Sequence, residues 1–138
     1  MSAIRPPLLL FATLLAAGGV LAARAQQNVD MEQIFWCRDG ENGGLTQAEC
    51  ADARELILLN CTVCHTFVRI ARAQKTEAEW NATLSRHRQR VVNLSDEQFA
   101  RVRQYLISHF NPGHPQPELP PELLQLGNRL HGPAAGPS

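Results

Sequence analysis

Leu56-Ile57-Leu58-Leu59-Asn60-Cys61-Thr62-Val63-Cys64-His65-Thr66-Phe67 is the stretch on which the reading of this chain turns. Its centre, Cys61-x-x-Cys64-His65, has the spacing of a c-type haem attachment site. Two thiols three positions apart on a turn of helix can each add to one vinyl group of a porphyrin. The histidine that follows directly then sits under the ring, where its imidazole can ligate iron. A bare CxxC would also suit zinc or a redox dithiol, but the adjoining His65 and the absence of a second CxxC favour haem c, held through Cys61 and Cys64.

The start of the chain supports export. Arg5 supplies a positive n-region, Pro6 to Leu21 is apolar, and Ala23-Arg24-Ala25 provides an A-x-A cleavage site. Residues 1–25 therefore read as a cleaved signal peptide, and no later apolar run is long enough to span a bilayer. The expected location is the periplasm. Of 13 basic and 13 acidic residues, only Arg5 and Arg24 fall in the leader, so the mature chain carries a net charge of −2. An exported, nearly neutral chain is a poor nucleic-acid binder. Charge is uneven, however: residues 26–55 are mostly acidic, whereas residues 69–103 carry Arg69, Arg72, Lys75, Arg86, Arg88, Arg90, Arg101 and Arg103. Such a dipole can steer a redox partner onto one face, or it can be a set of solvated helix surfaces.

Two cysteines remain once Cys61 and Cys64 are assigned. Cys37 and Cys50 flank a loop with Gly40, Gly43 and Gly44, in an oxidising compartment, and are expected to form a disulfide. Thr46-x-x-Glu49, Thr76-x-x-Glu79 and Ser95-x-x-Gln98 each read as a capping box. They predict helices over about 47–60, 77–88 and 96–109. The inward faces expected are Ala53 and Ile57 on the first, Ala78, Trp80, Leu84 and His87 on the second, and Phe99, Val102, Leu106 and His109 on the third. Tyr105-Leu106 should pack across Ala53 and Ile57. Residues 26–45 form an arm and loop, residues 46–112 the domain, and residues 113–138 a Pro-rich tail with one possible helical turn near Pro121. The fold class is all-α.

An iron that shuttles electrons takes a second axial ligand opposite His65, commonly Met, but no Met follows His65. His87 shares a helix face with Trp80, a natural wall for a haem pocket, and is the favoured partner, which makes His65 and His87 the expected metal ligands. His109, His114, His131, Met31, Asn93 and an open iron remain alternatives.

Over residues 46–112 the chain resembles small monohaem class I-type cytochrome c domains, especially the cytochrome subunits of periplasmic sulfite dehydrogenases. The matching features are Cys61-x-x-Cys64-His65, Glu79-Trp80…Arg86-His87, Leu94-Ser95-Asp96-Glu97 and Tyr105-Leu106…Phe110 before Pro112. In that group a Met stands where this chain has His87. The resemblance implies three main helices around one haem, the first and last crossing. It further implies a single-electron carrier between a dehydrogenase-type donor and a downstream acceptor, rather than an enzyme in its own right. A ligand-sensing haem protein, a haem enzyme and a dedicated subunit of a dehydrogenase complex are the alternatives.

Overall fold

The computed structural model describes residues 29–125. The expected leader and its cleavage site lie outside that range, as does His131. The described residues contain helices and no strand. In order these are α1 (Met31–Ile34), α2 (Gln47–Leu56), a π-helical turn (Ile57–Cys61), α3 (Val68–Ala71), α4 (Glu77–His87), a 3₁₀ turn (Arg88–Arg90) and α5 (Asp96–His109).

Each of the three longest helices begins where its capping box predicts. The hydroxyls of Thr46, Thr76 and Ser95 accept from the amides of Glu49, Glu79 and Gln98, whose side chains accept in return from the cap amides. The hydrogen bonds from the Thr76 hydroxyl and amide hold the Glu79 carboxyl below its ordinary range. Such a cap satisfies amides that no helical carbonyl can reach.

Helices α2 and α5 pack against each other. Ala53, Ile57 and Tyr105 are fully buried there, with Val102, Leu106 and Phe110 nearly so. Trp80 and Leu84 bring α4 into the same core, but Ala78 is exposed rather than inward. Trp80 also has a polar duty: its indole Nε1 donates to Phe110 O at 2.8 Å, tying α4 to the end of α5. It serves there as a strut, not as the wall of a cofactor pocket.

The arm is better ordered than its composition suggests. Asp30 caps α1 by accepting from the amides of Glu32 and Gln33. Phe35 is fully buried and meets Phe110 and Phe67 edge-on, at 5.3 and 6.3 Å between ring centroids. The expected disulfide joins Cys37 to Cys50 and fastens the arm to α2. The loop it closes leans on α5, where Gln104 Nε2 donates to Gly43 O at 2.7 Å. Gly43 has φ +61°, and a Cβ there would collide with the Ser108 side chain, so both backbone and space require glycine.

His109, placed on the apolar stripe of α5 by its spacing, is buried in an aromatic sandwich. It stacks on Tyr105 at 3.9 Å and 5° and lies 4.1 Å from the Trp36 ring. Its Nδ1 bonds Tyr105 O at 2.9 Å, and its Nε2 is 3.9 Å from Cys50 Sγ. Beyond Phe110 the tail is irregular up to a helical turn at residues 121–125.

Candidate functional site

The Cys61–His65 segment begins where α2 loses its regular register. Its α-helix ends at Leu56, four residues earlier than the periodicity predicts, and Ile57–Cys61 continues with π-helical bonding. Polar side chains take up the carbonyls at this break. Asn60 Nδ2 donates to Leu56 O at 2.8 Å, and Thr62 Oγ1 donates to Leu58 O at 2.6 Å. A single π turn inside a helix is costly in hydrogen-bond geometry and is concentrated at functional positions. Cys61 closes this turn, whereas Cys64 and His65 lie on the bends that follow it. The two thiols are therefore not on one turn of α-helix. Phe67 and the buried Val68, Ile70 and Ala71 anchor the far side of the segment in the core.

Both thiols are free; Cys64 is exposed and Cys61 partly covered. Burial pushes the Cys61 thiol up to about 11. A thiol in that range is almost wholly protonated at neutral pH and is a poor nucleophile. His65 Nδ1 lies 3.3 Å from Thr66 O. His87 ends α4 with Nδ1 2.7 Å from Thr83 O, a bond that turns its ring back along its own helix.

These positions correct one expectation. Among the described residues no group of three or more His, Cys, Asp or Glu side chains is placed to hold a metal ion. Haem c on Cys61 and Cys64, with iron held by His65 and His87, is therefore not carried forward, and neither is the assignment of a cytochrome c metal centre. The donors are dispersed. Cys37 and Cys50 are consumed by the disulfide, Cys61, Cys64 and His65 occupy one bend, and His87 stands at the end of a different helix. His109 and His114 face Trp36 on the arm side.

The loop after α4 turns one of its two valines inward: Val91 is buried and Val92 is 78% exposed. The loop is held by Arg88, which no spacing argument singles out. Its guanidinium donates to Val91 O and Leu94 O at 3.2 Å and to Asp96 Oδ1 at 2.8 Å, and it lies over the Phe99 ring. Asn93 Nδ2 donates to Asn60 Oδ1, clasping the loop to the π turn.

The charge asymmetry is partly cancelled by pairing. Arg101 meets Asp52, Arg103 meets Glu77, Arg54 meets Glu32 and Arg38 meets Glu41. Two crevices lie between α1 and the tail, and neither is lined by Cys61, Cys64, His65 or His87. No helix among the described residues is long and apolar enough to cross a membrane. The chain matches no known family, no curated protein and no solved structure.

Proposed function

We propose that this protein carries single electrons in the periplasm, between a dehydrogenase-type donor and a downstream acceptor. The observation that carries the proposal is the division of labour among four cysteines. One pair is locked in a disulfide that suits an oxidising compartment, while the other is kept as thiols at a helix break with His65 attached. The resemblance of residues 46–112 to cytochrome subunits of periplasmic dehydrogenases supports the same role.

Cys61 is a poor candidate for the attacking sulfur of a thiol–disulfide exchange enzyme, because burial raises its pKa.

The test is a coulometric titration of protein purified from the periplasm of an export-competent host, together with its intact mass. Uptake of one electron per chain is expected, lost in Cys61→Ala/Cys64→Ala while the Cys37–Cys50 bond persists. The intact mass then defines what the two sulfurs carry. A two-electron couple with unmodified sulfurs would identify a dithiol instead, and unchanged uptake in the double variant would remove the segment from the mechanism.

A further inference from the structure

Three large apolar side chains are held in solvent: Leu59 at 64%, Val63 at 77% and Val92 at 78% exposure. They are not scattered. Leu59 and Val63 bracket Cys61 on the same segment, and the Asn93–Asn60 clasp brings the Val92 loop against that segment. Neither the loop nor the π turn is loosely held, since Arg88 donates two hydrogen bonds to loop carbonyls and a third to Asp96 at the start of α5, and Asn60 and Thr62 close the turn.

Charge completes the surface. Arg86 and Arg90 stand four residues apart on the run from α4 into the loop, and both are exposed. Neither has an ion pair among the described residues, whereas Arg38, Arg54, Arg88, Arg101 and Arg103 each have one. An apolar centre with a charged rim is the anatomy of a protein–protein contact. A membrane surface is usually read by clusters of four to eight basic residues, more than this rim supplies.

We propose that Leu59, Val63 and Val92, bordered by Arg86 and Arg90, form the docking face for an acidic redox protein whose own contact patch is apolar at its centre and rimmed by carboxylates. The inference rests on the electron-transfer reading, because it places the partner directly over the Cys61–His65 segment.

Small redox probes of opposite charge test the rim. At low ionic strength Arg86→Gln/Arg90→Gln should slow electron exchange with hexacyanoferrate by about threefold or more and leave exchange with hexaammineruthenium equal or faster. Salt near the physiological level or above should shrink the difference. Arg38→Gln/Arg103→Gln removes the same net charge elsewhere, and an equal effect from that pair would overturn the proposal. The apolar centre is tested by amide NMR with a flavodoxin, an acidic electron-transfer protein, as the probe. Shifts confined to residues 59–65 and 86–93, and weakened in Val92→Gln, are expected. Shifts elsewhere, no shifts at all, or binding only to phosphatidylglycerol vesicles would overturn it. Failure of the wild type to exchange electrons with either small probe would strike the proposed function instead, and the NMR arm would still decide the face.

Discussion

Cys37 and Cys50 belong to the same small chain as Cys61 and Cys64, yet the two pairs have opposite environments. The first pair joins an arm to a helix, with Cys50 fully buried beside Trp36 and His109. The second pair sits at a helix break, with Cys64 exposed, and neither sulfur is joined to the other. What separates them is backbone context rather than spacing alone. A 13-residue separation with glycine turns lets two segments fold back on each other, whereas a three-residue separation at a π turn leaves Cys61 partly covered and Cys64 exposed, unjoined. One pair holds the scaffold together, and the other is available for chemistry.

This contrast predicts a ranking of losses. Cys37→Ala/Cys50→Ala should cost about 3 kcal/mol in urea unfolding, from loop closure alone. Cys61→Ala/Cys64→Ala should cost far less and act on redox behaviour instead. A reversal of that order would break the division of roles. Gly43→Ala should come next, at roughly 1–3 kcal/mol, because it forces both a left-handed φ and a clash with Ser108 on the loop that the disulfide closes.

The His109 sandwich beside Cys50 adds a pH dependence that the exposed pair lacks. Burial lowers this imidazole from about 6.5 to about 4. The folded form therefore keeps His109 neutral at pH values where the unfolded chain protonates it. Its contribution to stability is complete above roughly pH 6.5 and declines as pH falls toward 4. His109→Phe preserves the stack without the proton, and should flatten the wild-type fall in urea midpoint between pH 7 and 4. Where the second pair is present as thiols, iodoacetamide at pH 8 should label Cys64 well before Cys61, as read by peptide mass, since burial holds Cys61 near 11. The smallest effect belongs to the caps. Ser95→Ala should lower stability by about 1 kcal/mol through loss of the bond to the Gln98 amide, with no effect on either cysteine pair.

Much of the scaffold could be read from local pattern. A capping box is written within four residues, so the starts of α2, α4 and α5 followed directly from Thr46, Thr76 and Ser95. The disulfide followed from compartment and from the cysteines left over. What was not legible depends on contacts between distant segments. Nothing in the order Asn60-Cys61-Thr62 announces a π register, and nothing around Arg88 announces a staple for the next loop. Trp80 was placed correctly as buried, but its indole N–H found a carbonyl 30 residues away, which turned an expected pocket wall into a strut. The haem assignment rested on local motif, expected export and resemblance, and no set of side chains placed to hold a metal assembles around it among the described residues.

The order of the cysteines along the chain also bears on how it matures. Four cysteines admit six single disulfides, and only Cys37–Cys50 closes the loop at the arm and leaves both Cys61 and Cys64 untouched. A chain threaded outward from its N-terminus presents Cys37 and Cys50 to an oxidant before Cys61 emerges. On such a route the two kinds of sulfur meet an oxidant in sequence, the structural pair first.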